Sequence, residues 1–208
     1  ENHLEEISGI YVPFWLYSCE SNGSFSFDAT RTHHYTDGDY DVTETEHYLV
    51  LRDGEARFNN IPVDGSSKMD DAYMDAIEPF DYSAITDFHT DYLPGYAAQT
   101  YDEDATACAP RATARVKNTT IAAIRRTCDY TTLTPRTSKI STTQNSVDYA
   151  LLPVWMLTTN WHGKSYHFAI NGQTGKLIGD LPIDKGRFFS LLAGITIPLG
   201  ILLKLFIF

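Results

Sequence analysis

Residues 149–182 read YALLPVWMLTTNWHGKSYHFAINGQTGKLIGDLP, and this stretch decides the fold class. Residues 146–159 predict a long strand, Trp161 to Gly163 a turn, and residues 164–170 a second strand. Asn171 to Gly175 predict a turn built on two glycines, and residues 176–178 a short third strand. No helix is predicted after that turn, so its glycines serve chain reversal and not a phosphate cradle.

Working outward, Pro13-Phe14-Trp15-Leu16-Tyr17 aligns position by position with Pro153-Val154-Trp155-Met156-Leu157. After each copy a turn precedes an alternating aromatic strand, with Phe25 and Phe27 in the first and Tyr166 and Phe168 in the second. The first unit is predicted to turn at Glu20-Ser21-Asn22-Gly23. A further hairpin is predicted from residues 42–51 and 55–61, turned at Asp53-Gly54. The two Trp residues read as core, because such side chains bury large apolar areas.

The middle of the chain changes character. Ser66 and Ser67 before KMDDAYMDAI predict a short capped helix ending ahead of Pro79. Residues 102–108 and 110–128 predict two helical pieces, with Pro110 in the first turn of the longer one. Val116, Thr120, Ile124 and Cys128, with Ile121 beside them, share a face of that piece. Residues 131–146 are rich in Ser and Thr, and read as an exposed edge strand or a linker.

The chain has 208 residues, 13 Tyr and 11 Phe, which favours strands. Its net charge of −11 disfavours binding to nucleic acid. Cys19, Cys108 and Cys128 are odd in number and show no C-x-x-C spacing, so they predict neither a disulfide framework nor a self-contained zinc site.

Residues 188–208 read FFSLLAGITIPLGILLKLFIF, with Lys204 the one charge. At about 1.5 Å per residue the run matches a bilayer core, and it predicts a membrane helix, with a buried C-terminal helix as the alternative. Lys185 and Arg187 just before it predict a folded part on the cytoplasmic side.

Chemistry-bearing clusters are few. His33, His34, Glu44, Glu46 and His47 form the candidate metal site, drawing on imidazole and carboxylate ligands brought together across strands. Glu44 and Glu46 share one strand face and His47 the other, so paired charges on a solvated hairpin are the competing reading. Asp37, Asp39 and Asp41 begin like a calcium loop, but Tyr48 stands where the bidentate acid belongs. Arg111, Arg115, Lys117, Arg125 and Arg126 form a basic patch that either recognises an acidic partner or lipid headgroups, or pairs with the surplus carboxylates. No nucleophile-and-base motif and no nucleotide loop occurs.

The ordered segments YVPFWLY, DGDYDVTETEHY, Ile61-Pro62-Val63-Asp64-Gly65-Ser66-Ser67-Lys68-Met69, YLPGY and YALLPVW through FAINGQTGKLIGDLP resemble a family of uncharacterised bacterial membrane proteins with a TFIIB-type zinc ribbon. The resemblance covers residues 7–189, the region C-terminal to the ribbon. It implies zinc only in a ribbon upstream, since no cysteine here matches those ligands, and so no cofactor within this chain. The last hairpin is also similar to PepSY-type modules.

These readings predict an α+β chain: a largely antiparallel sheet of two similar hairpin modules with an inserted helical segment, plus a C-terminal transmembrane helix. Residues 1–65 hold the N-terminal hairpins and residues 66–130 the helical insertion. Residues 131–184 hold the C-terminal module, which shares one globular domain with residues 1–65. Residues 188–208 form the membrane helix. The expected role is a membrane-anchored, non-enzymatic adaptor for a protein or peptide partner. A metal-dependent hydrolytic enzyme centred on His33, His34, Glu44, Glu46 and His47 is the alternative.

Overall fold

The computed structural model describes residues 3–161, 163–179 and 185–207. Three long strands dominate: β1 (His3–Asp37), β2 (Tyr40–Asp64) and β4 (Thr132–Trp161). Shorter strands are β3 (Tyr96–Ala98), β5 (Lys164–Asn171) and β6 (Leu177–Gly179). The sheet order is β2-β1-β4-β5-β6, antiparallel throughout, with β3 joining β1 in parallel. Helices are few: α1 (Asp71–Ala76), α2 (Ala105–Arg126) and α3 (Lys185–Ile207).

The chain reverses once where two reversals were expected. β1 runs straight through Glu20 to Gly23, β2 runs through Asp53-Gly54, and the tight turn between them is Gly38-Asp39. Gly38 has φ +63, the left-handed value that a two-residue type II′ loop needs at its first position. The glycines read as turns instead face each other across β1 and β2, where they admit close neighbours. A Cβ on Gly23 would lie 2.6 Å from the Lys139 carbonyl oxygen, and one on Gly54 2.5 Å from Ile124 Cδ1. The first obstacle is backbone and the second a flexible tip. Gly23→Ala is therefore expected to cost about 1–3 kcal/mol by chemical denaturation, and Gly54→Ala clearly less.

Asn residues bend the sheet at one level. Ser18 of β1 faces a bulge in β2, where Tyr17 pairs with Ile61 but Cys19 with Phe58, so Asn59 and Asn60 together oppose Ser18 and one of them is in excess. On its other side Ser18 pairs with Ser146 and Cys19 with Gln144, leaving Asn145 in excess. Asn60 has φ +56, a left-handed conformation that Asn adopts more readily than most side chains.

Both faces of the central strands are covered. Val12, Phe14 and Leu16 point toward Met74, Ile77 and Phe80 together with Ala150, Leu152, Val154 and Ala169. Tyr17, Cys19 and Val63 point the other way onto Cys108, Ala112 and Val116 of α2. Farther along that face, Phe25, Phe27, Ala29 and Val50 meet Ile121, Ile124 and Cys128. The α2 stripe of Cys108, Ala112, Val116 and Thr120 has the four-residue spacing read from the sequence. The two predicted helical pieces are a single helix. Asp104 caps it by accepting from Ala107 N at 2.8 Å, and Pro110 in the second turn forfeits one bond without ending it. The Ser/Thr-rich residues 131–146 form the first half of β4 and not a linker.

The internal repeat is present, with a different second strand than expected. Gly65 N donates to Pro13 O at 2.9 Å, and Gly172 N donates to Pro153 O at 2.8 Å. Phe14 pairs with Asp64, and Val154 pairs with Asn171. Each proline thus stands where an outer strand stops, since it has no N–H to continue the ladder. The counterpart of β5 is the end of β2, not residues 24–30. The two units lie side by side about the paired Val12 and Leu152.

The transmembrane helix expected over residues 188–208 is corrected. Among the described residues no helix is long and apolar enough to cross a membrane. Between Arg187 and Lys204 the sequence of α3 holds 16 residues without a charge, about 24 Å of helix. A span takes roughly 20 consecutive apolar residues. The membrane location, the cytoplasmic orientation and the membrane partner inferred from that helix lose their basis with it. Every described side chain of α3 is exposed, so residues 186–200 add nothing to the core.

Candidate functional site: an aromatic sheet face

The sequence-predicted metal residues do not converge. His33 pairs with Glu44 and so shares its face, and Glu46 lies on that face opposite Arg31. His34 and His47 lie on the opposite face. The His34 ring nitrogen Nδ1 hydrogen-bonds the Thr43 hydroxyl at 2.9 Å, and Glu46 accepts from the Tyr48 hydroxyl at 2.6 Å. Among the described residues no group of three or more His, Cys, Asp or Glu side chains is placed to hold a metal ion. The described residues therefore support neither the metal-site expectation nor the zinc-ribbon label. Asp37, Asp39 and Asp41 flank or form the tight turn, and Thr36 donates to Asp41 at 3.2 Å.

The basic patch divides in two. Arg111 bridges Asp64 and Asp71, each at 2.9 Å, and reaches Asp75 at 3.6 Å. Arg115 holds Glu78 through two nitrogens at 2.8 and 2.6 Å. Together they tie α2 to α1 around the end of β2, so their charge is spent within the fold. Burial raises the pKa of Asp64 and of Glu78, outweighing the arginine beside each. Arg125 donates to Leu133 O at 3.1 Å, and Arg126 is exposed in the last turn of α2. Cys19 and Cys108 are buried, and burial first, then Glu103, pushes the Cys108 thiol up to about 11. It stays protonated at neutral pH and is a poor nucleophile.

What the fold does assemble is a surface of rings. On the α2 face, beyond the N-terminus of α2, Trp15 pairs in register with Tyr149, and Trp155 with Gly9. Both tryptophans are half-buried. Trp15 lies 5.2 Å from Tyr149 and 5.0 Å from Tyr101, centroid to centroid. Trp155 lies 5.0 Å from Tyr96, which lies 4.9 Å from Tyr11. These tilted and edge-on contacts are the favourable geometry for aromatic pairs. The indole Nε1 of Trp15 donates to Glu103 O at 2.9 Å, which fixes the ring.

The two ring groups are related by the repeat. Trp15 and Trp155 stand three residues beyond Val12 and Leu152, on opposite sides of that pair, roughly 20 Å apart along the strands. Tyr11, Pro13, Leu151 and Pro153 occupy the sheet between them. Tyr149 and Tyr101 remain 46% and 48% exposed, Ile7 and Leu177 at the far end 53% and 50%. Gly9 lets the Tyr96 ring lie flat on the strand, since a Cβ there would sit 2.8 Å from its Cε1. Sequence reasoning assigned both tryptophans to the core. The signal that marks the surface is the Tyr at register positions beside each Pro-x-Trp, visible only once β1 and β4 are known to be neighbours.

No family model and no solved structure matches the chain. The chain is similar to the uncharacterised protein YdjG of Bacillus subtilis (strain 168), 38% identical over 205 residues, which is 98% of this chain but 60% of that protein's length.

Proposed function

We propose that this domain is a binding module, not an enzyme, and that it recognises a protein or peptide partner through the ring surface of Trp15, Tyr101 and Tyr149 with Trp155, Tyr96 and Tyr11. The observation that carries the reading is two groups of three aromatic rings against one sheet face, with Tyr101 and Tyr149 half-exposed. Tyr and Trp offer large contact area at small entropic cost, and they dominate the energetics of protein interfaces. Their hydroxyls and indole N–H groups add hydrogen bonds at the rim. The relative extends beyond the matched region, which accords with a module joined to further segments.

A photo-crosslinking residue placed at Tyr149 or Tyr101 is expected to give a discrete adduct in cells, and one at Tyr40 on the far turn to give none. Against a partner so identified, Tyr149→Ala should weaken binding by about 2 kcal/mol, roughly 30-fold, with the circular dichroism unchanged. Equal adducts at all three positions, or none at Tyr149 and Tyr101, would overturn the proposal.

A further inference from the structure

The long three-stranded ribbon leaves two free backbone edges. Among the described residues β2 has no strand on its outer side, and β5 covers β4 only from Val154 onward. Both β2 and β4 run antiparallel to β1, so the two edges are parallel to each other. Their charges oppose. Residues 40–58 of β2 carry five carboxylates and two arginines, whereas residues 132–147 of β4 carry Arg136, Lys139 and no acid. Two hydrophobic side chains, Leu49 and Leu51, stand 57% and 64% exposed on the β2 edge. An unpaired edge that long, with exposed leucines on it, is a template for another strand.

We propose that the second copy of this chain occupies these edges, with β2 of one molecule added to β4 of the next. Charge decides among the pairings. Joining β4 to β4 would bring Arg136 and Lys139 against their own copies, and joining β2 to β2 would crowd carboxylates, and like charges across strands repel. The β2-to-β4 contact alone pairs opposite signs. The sheet also supplies the register. Asp53 and Lys139 both pair with Ser24 of β1 and point to one face, and neither has an ion-pair partner among the described residues. Repeating that row in the next molecule sets Asp53 of one copy beside Lys139 of the other. The contact is head-to-tail, so it builds rings or open chains and not a two-fold dimer. It does not depend on the aromatic surface, which lies on the other part of the ribbon.

Sedimentation velocity of the full chain tests this, run over a hundredfold range of concentration at low ionic strength and again at high salt. Concentration-dependent association is expected at low salt, and should weaken at least tenfold at about 1 M salt, where the screening length falls to about 3 Å. Arg136→Glu/Lys139→Glu and Asp53→Lys/Glu55→Lys all change exposed side chains. Each double variant should sediment as a monomer alone, with thermal unfolding close to that of the parent, and an equimolar mixture of the two should associate again. A parent chain that stays monomeric at every concentration overturns the proposal, as do double variants that associate as the parent does.

Discussion

Replacing Asn171 with Ala is expected to lower the unfolding free energy by about 3 kcal/mol or more. Asn171 is 1% exposed and every polar atom of its side chain is engaged. Its amide nitrogen donates to Ile77 O and to Pro79 O, each at 3.0 Å, and its carbonyl oxygen accepts from Gln173 N at 2.9 Å and Thr174 N at 3.0 Å. One side chain thus holds the β5–β6 turn and the segment after α1. Removing it strands donors and acceptors on backbone groups that cannot all reach water, at about 1–3 kcal/mol for each one left buried. Asn171→Asp keeps the shape and is expected to cost more near neutral pH. It turns an oxygen toward two carbonyl oxygens and buries a charge. The new carboxyl has a folded pKa above its unfolded value, so its penalty is absent below the unfolded value and grows as pH rises through the folded one. Denaturation midpoints should therefore show Asn171→Asp recovering toward the parent as pH falls toward 4, while Asn171→Ala shows no such recovery. Equal losses at both pH values would show that the amide nitrogen is not holding those carbonyls.

That pair of bonds also shows which parts of the molecule the sequence discloses. The hairpin from Tyr149 onward is legible because alternation and turn chemistry agree over its whole length, and β5 and β6 fall close to their expected bounds, whereas β4 starts at Thr132, well before the expected residue 146. The pairing of Arg111 and Arg115 with carboxylates is legible from charge excess. The glycines at Gly23 and Gly54 mislead, because a glycine that turns a chain and one that admits a neighbour look the same locally. The difference lies in Lys139 and Ile124, more than 60 residues away in sequence. The same limit hid the aromatic surface. Period two tells that Tyr11, Pro13 and Trp15 share a face, yet not that the core under α2 buries Tyr17 fully and leaves Trp15 half-buried at its margin. The membrane helix failed differently, since the 16 uncharged residues between Arg187 and Lys204 fall short of the roughly 20 that a span takes.

The repeat makes the second large effect predictable, because Asp64 occupies in the first unit the place of Asn171 in the second. Both are 1% exposed, and both precede the glycine that bonds a proline carbonyl. Asn171 is fully engaged, whereas the second carboxylate oxygen of Asp64 has no partner among the described residues. What keeps a charge tolerable there is Arg111, which reaches Asp64 Oδ1 at 2.9 Å while gripping Asp71 of α1. Arg111→Met is therefore expected to cost about 3 kcal/mol near neutral pH, since it leaves a buried carboxylate without its cation. Asp64→Asn should cost about 1 kcal/mol, because the amide suits this position in the other unit and Arg111 keeps its remaining acids. Burial already raises the Asp64 pKa, and losing Arg111 raises it further. A raised carboxyl favours the fold below its unfolded pKa and loses that advantage as pH rises, so the Arg111→Met deficit should shrink on acidification. The double variant should be more stable than Arg111→Met alone, because removing the charge removes the need for its partner. Additive losses in the double variant, independent of pH, would mean that Arg111 acts through its packing on α1 and not through Asp64.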